Sequence, residues 1–142
     1  MASRFVLIDT NVFCAWFLRD DPNHLHAQKI IKSIKTNEKI ILPPLGIFEI
    51  IATLAKRGID DSQIKQIVFN LASQAEIVIA QLADLQFANN VTLFKNIEHL
   101  RTHDFYVLQT GMKFGAKIYS FDQSFVKRGK VLYKDIYDKV RR

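Results

Sequence analysis

Hydrophobic positions along the chain come in two alternating rhythms. Short apolar runs, Phe5–Ile8, Lys39–Leu42, Glu76–Ala80 and Lys117–Phe121, read as buried strands. Between them lie stretches of helical periodicity. Val12–Leu18 follows the capping residues Asp9-Thr10-Asn11, and Pro22 opens a helix to about Lys35 carried by Leu25, Ile30, Ile31 and Ile34. Pro43-Pro44 starts a helix through Leu45–Ala55 that Gly58 stops, and Asp60-Asp61-Ser62 caps another to about Ala72. Leu82–Ile97 and His103–Phe114 read as helices, the latter ended by Gly115. Val131–Tyr133 is expected as a short edge strand and Asp135–Val140 as a terminal helix. Alternation of this kind predicts an α/β fold with a mostly parallel sheet covered on both faces.

Composition narrows the class. At 142 residues, 49% hydrophobic and 24% charged, with no linker, repeat or low-complexity stretch, the chain fits a single domain over residues 1–142. A net charge of +6 is compatible with a polyanionic partner without identifying one. Cys14 is the only cysteine, so neither an intrachain disulfide nor a cysteine-based zinc site is available. The start MASRFVLIDTN lacks the apolar core of a signal peptide, and no apolar run is long enough to cross a bilayer. A cytoplasmic protein without a membrane partner is the expectation.

Four acids stand out by position. Asp9 and Asp122 each follow a strand, where ligands bind in open α/β sheets. Each also has an ordinary reading, a helix cap for Asp9 and a turn residue for Asp122, although Asn11 is available as an alternative cap beside Asp9. Glu49 lies in a helix that is apolar almost all round, with no basic residue one turn away. A buried carboxylate there needs a partner, either a distant Lys or Arg or a metal ion. Asp104 begins the His103–Phe114 helix and suits its dipole, while Thr102 offers another cap. Carboxylates gathered at one place repel each other unless a cation intervenes. Hard cations such as Mg²⁺ and Mn²⁺ favour such oxygens and act on phosphate esters. On that footing, Asp9→Asn is expected to leave the metal-free protein as stable as before, or more so.

The set Ile-Asp9-Thr-Asn, Phe-Glu49-Ile, His-Asp104-Phe and Ser-Phe-Asp122-Gln-Ser-Phe resembles the PIN domain family, especially its VapC-like toxin nucleases, over almost the whole chain. The resemblance implies a three-layer, Rossmann-like α/β/α sandwich and Mg²⁺- or Mn²⁺-dependent endonucleolytic hydrolysis of single-stranded RNA. It makes Asp9, Glu49, Asp104 and Asp122 the catalytic and metal-binding quartet, with Thr10 and Ser120 as the small hydroxyl residues beside it. The toxin-like branch further implies a homodimer and an inhibitory antitoxin. One departure is Ser124, where many relatives carry another acid; Asn11 and Ser124 offer neutral oxygens instead.

Weaker signals surround this set. Lys127, Arg128 and Lys130 follow Asp122 and are candidates for phosphate contact, or else a solvated turn. His24 and His26 read as surface residues, and Trp16, Phe87, Phe94, Phe105 and Phe125 as core. A catalytically weak PIN-like RNA-binding module is the competing reading. A phosphatase with a strand-end aspartate is disfavoured, because the second acid it needs is replaced by Asn11.

Overall fold

The computed structural model describes residues 4–43, 45–74, 77–79 and 101–138. Five strands, β1 (Phe5–Ile8), β2 (Lys39–Leu42), β3 (Ile77–Ile79), β4 (Lys117–Tyr119) and β5 (Ile136–Tyr137), form one sheet in the order β3-β2-β1-β4-β5. Every pairing is parallel, with Leu7 beside Ile41 on one side and Ile118 on the other. The chain therefore builds outward from β1 to β3, then returns to the far side of β1 for β4 and β5. This reversal leaves a crevice at the carboxyl ends of β1 and β4, where open α/β sheets hold their ligands.

Six helices among the described residues cover the sheet: α1 (Thr10–Phe17), α2 (His24–Ser33), α3 (Gly46–Lys56), α4 (Asp61–Ser73), α5 (Thr102–Phe114) and α6 (Gln123–Gly129). The period-two alternation of the strands sorts their side chains into two cores. Val6, Ile8, Leu42 and Tyr119 join Val12, Phe13, Ile30, Ile50 and Leu54 from α1, α2 and α3. Leu7, Ile41, Ile118 and Ile136 face the opposite way, against Val107, Leu108 and Phe125 of α5 and α6. This is the three-layer α/β/α sandwich with a parallel sheet that the alternation predicts. Gly111 lets α5 lie directly on β4, because a Cβ there would run into the Ile118 side chain.

Several element boundaries differ from the expectations. Val131–Tyr133 is a turn: the amides of Leu132 and Tyr133 return to Gly129 O at 3.0 and 2.8 Å. The edge strand is β5, inside the stretch expected as a terminal helix. Ile118 N bonds Asp135 O and Ser120 N bonds Tyr137 O, and Ile136 is fully buried. Helix α6 was not expected, since the segment after Asp122 read as a charged turn. Leu25, counted in the apolar stripe of α2, is 72% exposed. Trp16, Phe105 and Phe125 pack in the cores as expected, whereas Leu82–Ile97, Phe87 and Phe94 lie outside the described residues. No helix among the described residues is long and apolar enough to cross a membrane.

Candidate active site

All four expected acids lie at the carboxyl end of the sheet. Asp9 directly follows β1 and is 1% exposed. Its backbone N–H donates to Tyr119 O at 2.9 Å, which clamps the end of β1 against β4. Its carboxylate is the N-cap of α1, with Oδ1 accepting from Thr10 N at 2.8 Å. Oδ2 accepts from Ser120 Oγ at 2.7 Å and from Asn11 Nδ2 at 3.4 Å. Asp9 is thus both cap and site acid. Asn11 does not take over as cap; its Oδ1 accepts from Phe121 N at 3.1 Å and its amide also reaches Ser120 Oγ at 3.3 Å.

Ser120 is completely buried and joins two acids. While donating to Asp9, its Oγ accepts from Asp122 N at 3.1 Å. Asp122 is the N-cap of α6, Oδ1 accepting from Phe125 N at 3.0 Å. Its side chain is 25% exposed.

Glu49 reaches the crevice from the first turn of α3. That helix lies close to α1 because Gly46 has no Cβ; one there would stand 3.3 Å from Thr10 Cγ2. Leu45, in the left-handed region at φ 67°, turns the chain from β2 into α3. The Glu49 side chain is 31% exposed rather than buried, and its partner is neither Lys nor Arg. Oε2 accepts from Thr10 Oγ1 at 3.0 Å and stands 3.1 Å from His103 Nδ1. Asp104, in the first turn of α5, is 2% exposed. Its Oδ2 accepts from Arg101 N at 3.3 Å, and its buried Oδ1 has no hydrogen-bond partner among the described residues.

Two cations that the sequence reading passed over complete the arrangement. The His103 ring spans from Asp9 to Glu49, with Nε2 3.2 Å from Asp9 Oδ1. Hydrogen bonds to these two carboxylates outweigh desolvation and hold the imidazole up at about 10. Arg101 lies 2.7 Å from Asp122 Oδ2 through Nη2 and 3.6 Å from Asp104 Oδ2 through Nε. The available signal was local: both cations stand within three residues of Asp104.

The remaining candidates divide. Thr10, Asn11 and Ser120 bond the acids directly. Ser124 is exposed, and Lys127, Arg128 and Lys130 occupy the far end of α6 from Asp122. His24 bonds Ala15 O at 2.9 Å and His26 packs on Phe121, so both serve structure. A cavity of about 310 Å³ runs from Thr10, Glu49 and His103 to Arg57, which pairs with Asp20 and Asp21 at 3.5 and 3.7 Å. On its wall Cys14 has its thiol pushed up to about 11 by burial, which keeps it protonated and unreactive. A larger space, about 480 Å³ between α3 and α4, is lined mostly by Ile51, Ala55, Ile64, Val68 and Phe69 and offers little for chemistry.

The donor chemistry suits a hard divalent cation: carboxylate oxygens at a sheet switch point, one of them buried without a partner among the described residues. Among the described residues, no three acids, histidines or cysteines surround a common point as a bound metal requires. The reason is visible in the ion pairs, because His103 and Arg101 stand between the acids. The residues fit such an ion in kind, and His103 and Arg101 now pair with them.

A parallel α/β sandwich with an acid-lined crevice at its switch point defines a Rossmann-like class of fold, whose ligands bind at the carboxyl ends of the strands. Within that class the chain belongs to the PIN domain family, whose model matches residues 6–131. In fold it is similar to the crystal structure of Mycobacterium tuberculosis VapC20, a sarcin-ricin loop cleaving toxin. That similarity has a TM-score of 0.69 at 14% identity, covering 84% of this chain and 92% of the other. No curated protein gives a significant sequence match.

Proposed function

We propose that the chain is an endoribonuclease that hydrolyses phosphodiester bonds of single-stranded RNA, with Mg²⁺ or Mn²⁺ held by Asp9, Glu49, Asp104 and Asp122. The observation that carries this reading is the meeting of four acids from four elements at one crevice, with Asp104 Oδ1 buried and unpaired among the described residues. Membership of the PIN domain family, a family of nucleases, supports it.

When bound, a divalent cation supplies charge to the phosphoryl oxygens and activates water for attack. The protein's own part is orientation. Thr10 N and Ser120 Oγ fix the two oxygens of Asp9, and Thr10 Oγ1 aims Glu49. Ser120 also links Asp9 to Asp122 N, so these two acids keep one spacing. Asp104 offers an oxygen that no donor among the described residues occupies.

In this reading residues 1–142 form one nuclease domain that acts in the cytoplasm as a homodimeric toxin restrained by an antitoxin. The solved neighbour of similar fold, a sarcin-ricin loop cleaving toxin, supports the toxin part of that assignment. Exposed Phe48 and Phe69 supply apolar surface for such contacts.

A labelled single-stranded RNA incubated with the protein tests the activity. Cleavage is expected with Mn²⁺ or Mg²⁺, and none with excess chelator or in Glu49→Gln. Cleavage that survives the chelator refutes metal dependence. RNA binding without cleavage by the wild type, at any metal concentration, favours the RNA-binding module instead.

A further inference from the structure

The position of His103 has a consequence for metal loading. Asp9 and Glu49 come from different elements, yet one imidazole touches both, at 3.2 Å through Nε2 and 3.1 Å through Nδ1. A carboxylate only accepts hydrogen bonds, so a ring nitrogen that bonds Asp9 or Glu49 carries its proton there. The ring is held from behind by Tyr106, one turn along α5. The Tyr106 hydroxyl lies 2.9 Å from Nδ1, and the two rings meet edge-on with centroids 5.0 Å apart.

Partners of Asp9 differ in their freedom to leave. Thr10 N is backbone, Ser120 is fully buried, and Asn11 is tied down by Phe121 N and Ser120 Oγ. His103 is a side chain, 32% exposed, at the rim of the cavity. It is therefore the partner that a competing cation can displace, with open space beside it to receive the ring.

We propose that His103 is the crevice's internal counter-ion: it holds Asp9 and Glu49 in the metal-free protein, competes with the divalent cation for them, and so sets the metal concentration at which the site fills. This rests on the metal-dependent reading of the quartet. Arg101 does the same for Asp104 and Asp122, but from a more exposed position, 67% against 32%, where solvent weakens its hold.

The test is calorimetric titration of Mn²⁺ into the intact protein at fixed pH and salt. Wild type is compared with His103→Ala, His103→Gln and His103→Lys. Loss of a charge-assisted bridge corresponds to about tenfold in a binding constant. The Ala and Gln variants are expected to bind Mn²⁺ about tenfold more tightly than wild type. The Lys variant, which keeps a cation, stays near the wild-type value. Both neutral variants also melt lower without metal and gain more on adding it.

Equal or weaker Mn²⁺ binding by the neutral variants overturns the proposal, and weaker binding marks His103 as a metal ligand. A measurement without substitution guards against misfolding: the His103 ring resonances should move as Mg²⁺ is added to wild type. Ring signals unchanged at saturation also overturn it. If wild type binds metal while the variants do not tighten, the counter-ion role alone falls. If no form binds metal, the metal-dependent reading falls and takes this proposal with it.

Discussion

The two halves of the acidic crevice are built to different standards. Around Asp9 and Glu49 the contacts come from four elements, with a buried serine, a helix cap, a threonine hydroxyl and a half-buried imidazole. Asp122 likewise caps a helix, but its link to Asp104 is one exposed guanidinium, and one oxygen of Asp104 has no hydrogen-bond partner among the described residues. The first half is rigid before any ligand arrives. The second half holds unmet demand for positive charge. A site that must take up a hard cation gains from both, a fixed frame on one side and an unfilled oxygen on the other.

This contrast predicts a marked asymmetry between two isosteric substitutions. Asp9→Asn should abolish RNA cleavage and, contrary to the expectation from carboxylate repulsion alone, destabilise the metal-free protein by about 2 kcal/mol. An amide nitrogen there would face Ser120 Oγ and Asn11 Nδ2, or Thr10 N and His103, all placed to donate to Asp9. Urea denaturation without metal measures it. Asp104→Asn should abolish cleavage too, yet shift metal-free stability by less than about 1 kcal/mol, since it gives up one long bond and an exposed ion pair. Equal destabilisation by both would break the comparison.

Next in size is Ser120→Ala. It strands Asp9 Oδ2 and removes the acceptor for Asp122 N, so a loss of about 1–2 kcal/mol and a fall of about tenfold in kcat are expected. An unchanged kcat would mean that the spacing of Asp9 and Asp122 is set elsewhere. Smaller still is Arg101→Ala, expected to cost under about 0.5 kcal/mol, because its head group lies largely in solvent. A cost approaching that of Ser120→Ala would show the second half to be as firmly built as the first.

A pH effect outside the crevice supplies the control. Burial raises the Glu38 carboxyl, but the Lys35 amide and Lys117, 3.1 Å away, bring it below its ordinary 4.5. A lowered folded-state value means stability that is present above pH 4.5 and lost as pH falls through the folded value. Glu38→Gln should therefore flatten the acid limb of the stability curve while leaving RNA cleavage near neutral pH unchanged.

Much of this architecture was legible in the sequence because it rests on local rules. Apolar runs marked four of the five strands, and Gly115, at φ 59°, ended α5 as its position suggested. Asp9 was visible because it directly follows β1, and Asp122 because it follows the apolar run Lys117–Phe121, whose last two residues lie beyond β4. What escaped depends on contacts distant in sequence. Ile136 and Tyr137 form a strand only because β4 offers them an edge. Helix α6 relies on Asp122 as cap and on Phe125 burying itself under α5, neither of which periodicity shows over seven residues. His103 looked like a helix-start residue next to an acid. Its two partners are 94 and 54 positions away in the numbering, so no local pattern could pair them.

The central claim is that the quartet takes up a divalent cation, and anomalous scattering tests it most directly. Crystals soaked in Mn²⁺ and measured above the manganese absorption edge should show a peak bounded by carboxylates of Asp9, Glu49, Asp104 and Asp122, with the His103 ring moved away. No peak at saturating Mn²⁺, or a peak held by other side chains while His103 still bridges Asp9 and Glu49, contradicts the account.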